Sequence, residues 1–145
     1  MSAENREIVR SVQPMPDLDI AALLADDEAT DRWIDEVVPC FDPSFQGTIR
    51  LPGMAPVTVL GLDGLRNVLR GWLSHWVSFQ VEIEDVIENG AFVVQVFRAN
   101  ARRHPDAPEE ERRRTVLWTL RDGRIVRGDF NVPHAEALAM AGLKE

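Results

Sequence analysis

At 145 residues, with 45% apolar and 28% charged residues, the chain has the length and composition of one soluble globular domain with one sizeable core. Its 24 acidic against 16 basic residues give a net charge of -8, which repels phosphate backbones and anionic membrane surfaces and excludes nucleic acid as a natural partner. Its apolar runs fall short of the roughly 20 residues needed to span a bilayer. The start lacks a secretory leader pattern, so no membrane is expected as a partner and cytoplasmic residence is expected. Cys40 is the single cysteine, which excludes an internal disulfide and a Cys-based zinc site.

In chain order, Ile8, Val9 and Val12 share one face of a short helix that Ser2 is placed to cap, and Pro14 and Pro16 break it. Ile20, Leu23 and Leu24 predict a second helix after Asp19, and Trp33, Ile34, Val37 and Val38 a third that ends before Pro39. A short strand is expected over Phe45 to Leu51, turning at Pro52 and Gly53, with 57–60 answering it. After Asp63, Leu65, Val68, Leu69, Trp72, Leu73 and Trp76 recur at three- and four-residue steps and predict an amphipathic helix.

Phe79, Val81 and Ile83 alternate with Gln80, Glu82 and Glu84, as in a strand buried on one face. Asn89 and Gly90 form a two-residue hairpin signal leading into a strand from Phe92 to Arg102. A longer, Pro-flanked loop at 104–108 leads to the next strand, and Asp122 and Gly123 signal a type I′ hairpin before the last one. Pro133 then suits the first turn of a helix that buries Ala135, Leu138 and Ala139 and stops at Gly142. Helices followed by a run of antiparallel strands make an α+β fold, with helices covering one face of a curved sheet.

From Glu4 to Leu143, and most strongly at 61–65, 76–87 and 118–143, the chain resembles the SnoaL-like branch of the nuclear transport factor 2-like superfamily. The resemblance implies a single domain over 1–145. Its fold would be a cone-shaped curved antiparallel sheet wrapped around N-terminal helices, the cystatin-like α+β roll, with an apolar cavity for a small hydrophobic ligand. It also implies a homodimer formed through the outer face of the sheet. Polyketide cyclases, ketosteroid isomerases, scytalone dehydratases and limonene epoxide hydrolases belong to the superfamily, beside non-catalytic binding and dimerisation modules. The acid/base chemistry implied needs no metal or organic cofactor, and three scattered histidines give no metal-ligand spacing.

Each enzymatic branch makes a demand on particular residues. An oxyanion hole of the ketosteroid isomerase type is built around a tyrosine hydroxyl, and the chain has no Tyr. The Arg-x-Asp pair of the epoxide hydrolases falls on Arg98 and Asn100, which alternation places on one sheet face with Val94 and Val96; Asn100 has no useful proton affinity near neutrality. The acid on the last strand of these families falls at Phe130, or at Asp129 if a bulge near Gly128 slips the register. Arg98, Asn100 and Asp129 are therefore the candidate catalytic residues, with Arg98 as an electrostatic anchor for an anionic oxygen or else one half of an internal salt bridge. Trp72, Trp76, Val96, Val116, Trp118 and Phe130 are the candidate ligand-binding residues. Two readings follow: a small-molecule-binding protein with no assigned reaction, or a cofactor-independent cyclase, isomerase or epoxide hydrolase.

Overall fold

Helices lead and strands follow in the computed structural model, which describes residues 2–13, 19–50 and 53–143, with side chains from Asn5 onward. The expected breaks at Pro14 and Pro16, the strand end at Leu51, the Pro52 turn and the Ser2 cap lie outside the described backbone or side chains. The elements are helices α1 (Ser2–Ser11), α2 (Ile20–Ala25) and α3 (Asp27–Val37), strands β1 (Phe41–Ile49) and β2 (Val57–Leu60), and helix α4 (Gly61–Leu73). Strands β3 (Ser78–Asn89), β4 (Phe92–Arg102), β5 (Glu110–Arg121) and β6 (Arg124–Phe130) follow, and helix α5 (His134–Met140) ends the series.

Capping explains where the short helices begin. Asp19 accepts hydrogen bonds from the amides of Ala21 and Ala22 at the start of α2, and also from the amide of Phe79 at 2.9 Å, which ties α2 to β3. Asp26 starts α3 in the same way, through Ala29 N. Helix α4 begins ahead of the expected start after Asp63, at Gly61, whose φ of 72° turns the chain out of β2, and it ends at Leu73, before Trp76.

The six strands lie in the order β2-β1-β6-β5-β4-β3. All neighbours are antiparallel except β1 and β6, which run parallel, so the α+β fold carries a mixed sheet where an antiparallel one is expected. Consecutive strands joined by hairpins must be antiparallel, whereas β1 and β6 are far apart in sequence and free of that constraint. Register shifts in β1 between Phe41 and Gln46, in β3 between Ile83 and Asp85, and between β5 and β6 at Thr119 and Leu120 bend the open sheet. In β1 the cause is local: Pro43 has no amide for the ladder, and Asp42 Oδ1 accepts both the amide and the hydroxyl of Ser44. The strand expected from Phe45 begins earlier, at Phe41, and β1 runs through 42–44.

Alternation along β4 separates two cores. Val93, Phe97, Ala99 and Ala101 face α1, α2 and α4 on the concave side, with Phe41, Phe45, Val116, Trp118 and Ile125 filling the base of the cone. Val94 and Leu117 face the other way and are covered by Val132, Ala137, Leu138 and Ala141. Helix α5 and its C-cap therefore bury Ala137, Leu138 and Ala141, not Ala135 and Ala139, because Pro133 precedes the helix as its cap and the buried stripe rotates by one position. Its end is a Schellman turn at Gly142 (φ 75°), with Leu143 N donating to Leu138 O at 2.7 Å.

Asp122 and Gly123 have φ of 53° and 78°, the type I′ pattern expected. In the β3–β4 hairpin, however, Asn89 pairs with Phe92, so the turn residues are Gly90 and Ala91, shifted by one from the Asn-Gly reading. Asn89 instead donates its side-chain amide to Ala141 O at 2.6 Å, while Asn5 of α1 donates to Gly90 O at 2.9 Å.

Candidate functional site

A cavity of about 150 Å³ lies between the helices and the concave face of the sheet. Its walls are mostly apolar, with Trp33, Trp72, Phe97, Val116, Trp118 and Phe130 among them. An apolar cavity of about 150 Å³ suffices for one benzene-sized molecule, whereas pockets for larger ligands begin near 300 Å³.

The aromatic packing explains why the cavity holds its shape. The Trp118 ring meets Phe41 and Phe130 edge to face, at centroid distances of 6.5 and 5.3 Å, and Phe79 meets Trp72 and Trp76 likewise at 5.1 and 5.8 Å. Such pairs contribute roughly 0.5–1.5 kcal/mol each beyond area burial. Gly128 lies beneath the Trp118 ring, where a Cβ would come within 2.9 Å of Trp118 Cζ3.

A hydrogen-bonded chain crosses this apolar wall. Trp118 Nε1 donates to Gln95 Oε1 at 2.7 Å, Gln95 Nε2 donates to Gln13 Oε1 at 2.9 Å, and Gln13 Nε2 donates to Val9 O at 3.0 Å. An indole nitrogen only donates and a carbonyl only accepts, so the two ends fix the direction of every bond between them. Gln95 is 2% exposed, and both of its amide atoms are used. A buried amide left unpaired is costly, which makes this relay a rigid part of the wall. Among the described residues Arg66 is the one charged side chain on the cavity wall, and its guanidinium turns to Asp31 and Asp27 of α3, whose hydrogen bonds raise its pKa. Among the described residues no Asp or Glu lines the cavity.

The sequence-derived site residues do not come together. Arg98, Asn100 and Val96 do share a face of β4 with Val94, as alternation requires, but it is the convex one, because Val93, Phe97, Ala99 and Ala101 take the interior. Arg98 donates to Glu82 at 2.6 Å across β3, and this bond together with the neighbouring negative charge raises its pKa. Asn100 stands opposite Gln80 and Glu111 on the same outer face. Asp129 is buried, but it also faces outward: Arg127 binds both of its oxygens at 3.0 Å, and the same bond raises the pKa of Arg127 against burial. Phe130 is the residue on the cavity wall, because β6 pairs Gly128 with Trp118 and Phe130 with Val116.

Of the candidate ligand-binding residues, Trp72, Val116, Trp118 and Phe130 line the cavity, whereas Trp76 and Val96 border a separate open cleft. The residues that sequence reasoning passed over are Gln13 and Gln95. The available signal was a lone amide inside the apolar run Val93, Val94, Gln95, Val96, Phe97. Among the described residues no three His, Cys, Asp or Glu side chains gather closely enough to hold a metal ion, and no helix is long and apolar enough to cross a membrane.

This architecture recurs in solved structures. TerC, crystallised with polyporic acid, superimposes with a TM-score of 0.65 at 17% identity, covering 96% of this chain and 98% of its own. A protein of unknown function from Burkholderia pseudomallei K96243, described as NTF2-like, gives a TM-score of 0.66 at 18% identity over 97% and 98% of the two chains. A putative SnoaL-like polyketide cyclase from Jannaschia sp. CCS1 gives 0.64 at 18% identity over 89% and 85%. No curated protein matches the sequence. The model of the SnoaL-like domain matches residues 19–128, from the cap of α2 to the strand beneath Trp118, and the chain belongs to the SnoaL-like domain family.

Proposed function

We propose that this SnoaL-like protein binds a small apolar molecule about one aromatic ring in size, in the cavity walled by Trp72, Val116, Trp118 and Phe130, without a metal or organic cofactor. The observation that carries the reading is a cavity of about 150 Å³ in which the polar groups of Gln95, Gln13 and Trp118 are already paired with one another. A wall of that kind selects by shape and size, and among the described residues its polar groups are engaged with protein partners rather than aimed at a ligand. Arg98, Asn100 and Asp129 lie on the convex face, so a catalytic use of these three is not part of the proposal. A cofactor-independent cyclase would need a base from elsewhere.

The test is titration with toluene and indole against three-ring phenanthrene, followed by NMR at the Trp118 indole N–H and the Gln95 side-chain amide. Single-ring ligands should shift both resonances and raise the melting temperature, and phenanthrene should do neither. Silence of both resonances toward every single-ring compound at saturation ends the proposal.

We also propose cytoplasmic residence, on the lone Cys40 and the acidic surface, and a homodimer through the convex face of β3–β5. There Arg98 pairs with Glu82 and Arg113 with Glu84, an alternation of sign that a twofold-related copy can exchange. A monomer mass by light scattering at micromolar concentration would exclude the dimer.

A further inference from the structure

The sheet has a gap along β5. Strand β6 pairs with β5 only from Val116 onward, so the stretch 110–114 has β4 on one side and a cleft on the other. This cleft, of about 1350 Å³, runs from α4 past the β5 edge to the segment 131–134. It lies outside Trp72, which walls both the cleft and the inner cavity.

Its charge is opposite to that of the protein. Among the described residues five arginines line it (Arg50, Arg103, Arg112, Arg113 and Arg114) against the single carboxylate of Glu84, in a chain whose net charge is -8. Four of these arginines are answered by carboxylates: Arg50 by Glu136, Arg103 and Arg112 by Glu110, and Arg113 by Glu84. Arg114 is not. Among the described residues its one hydrogen bond runs from Nη1 to Arg113 O at 2.9 Å. Alternation along β5 turns Arg114 to the same side as Val116 and Trp118, about 7 Å further toward the mouth of the cone.

Both burial and the nearby Arg112 lower the pKa of Arg114, yet an arginine keeps its charge at any physiological pH. A partly buried guanidinium without a counter-charge is thus held by Nη1, with its Nε and Nη2 donors unspent among the described residues. The neighbouring walls, Val68, Trp72 and Val132, are apolar and favour a flat organic body over a bare inorganic ion. A polyanion would be opposed by the overall negative field.

We propose that the cleft is a binding site for a small aromatic carboxylate, with the carboxylate on the Arg114 guanidinium and the ring against Trp72. The proposal is separate from occupancy of the inner cavity and does not depend on it.

Isothermal titration calorimetry with 2-naphthoate, neutral 2-naphthylmethanol and inorganic phosphate tests it on the wild-type protein, Arg114→Gln and Arg114→Lys. The wild type should prefer naphthoate to naphthylmethanol by about tenfold or more, the gain expected of one charge-assisted contact. Arg114→Gln should erase that preference while leaving naphthylmethanol affinity unchanged, and Arg114→Lys should keep part of it. Equal binding of the two naphthyl probes by the wild type, or an undiminished preference in Arg114→Gln, would overturn the assignment. Phosphate binding as tight as naphthoate would overturn the aromatic part. Loss of naphthylmethanol binding in Arg114→Gln would mark a structural role for Arg114 and also overturn it.

Discussion

The indole nitrogen of Trp118 on β5 donates to the side-chain carbonyl of Gln95 on β4 at 2.7 Å, and the two side chains are 5% and 2% exposed. Replacing Gln95 with Leu keeps the volume and removes both partners of the relay, which leaves the Trp118 N–H and the Gln13 carbonyl unpaired in an apolar wall. Chemical denaturation should show Gln95→Leu destabilised by about 1–3 kcal/mol. Trp118→Phe made in the Gln95→Leu background should cost clearly less than Trp118→Phe alone, since the donor it removes no longer has a partner.

Gly128 is small because Trp118 crosses over it. A Cβ at this position would meet Trp118 Cζ3 at 2.9 Å and Phe130 Cε1 at 3.1 Å, on two rings that also wall the cavity. Gly128→Ala should therefore destabilise the protein by roughly 1–3 kcal/mol, the usual cost of overpacking. It should also change near-ultraviolet circular dichroism, which reports the Trp118 environment, while the far-ultraviolet spectrum stays as in the wild type.

The Arg127 and Asp129 pair is a surface clasp that covers the back of β6. Asp129 is buried at 6% exposure while the Arg127 side chain is half open to water, so Arg127→Ala strands a carboxylate that solvent can partly reach. The expected loss is about 1 kcal/mol in urea denaturation. Because Asp129 faces away from the cavity, Asp129→Asn should leave single-ring ligand affinity within twofold of wild type. A loss of binding much larger than the loss of stability would return Asp129 to the site.

Glu110 has its pKa lowered, first by the hydrogen bond from Arg112, with burial opposing and Arg103 adding to the effect. A carboxyl depressed in the folded state contributes stability that is present above its unfolded pKa, near 4.3, and is lost as pH falls through the folded value. Arg112→Gln should move the Glu110 midpoint upward in an NMR titration. The acid-side decline in melting temperature should then begin at a higher pH than in the wild type.

Much of the fold was legible because it depends on local chemistry. The α4 stripe from Leu65 to Leu73, the start of α2 after Asp19 and the Asp122-Gly123 turn each follow from residues adjacent in sequence, although α4 begins earlier, at Gly61, and ends before Trp76. The site was less legible because it depends on which side of a strand faces the helices. Alternation grouped Arg98, Asn100, Val94 and Val96 on one face of β4, but a two-residue period cannot say which face is concave. Alanines decided that: Ala99 and Ala101 pack beneath α2 and α4, where larger groups would not fit. The bulge at Glu84 and the Pro43 irregularity in β1 bend the sheet without a periodic signature. The Gln95 relay was invisible for a further reason, since its partners Gln13 and Trp118 are 82 and 23 residues away.

The β3–β4 turn receives Asn5 of the first helix on Gly90 O and lends its Asn89 amide to the carbonyl that ends the last helix. One tight turn is thus the meeting point of the earliest and latest described helices. The molecule is closed in the manner of a belt, with this turn as its buckle. Release of α5 removes a restraint from the same turn that holds α1, so the two helices should lose hydrogen-exchange protection together although they are distant in sequence.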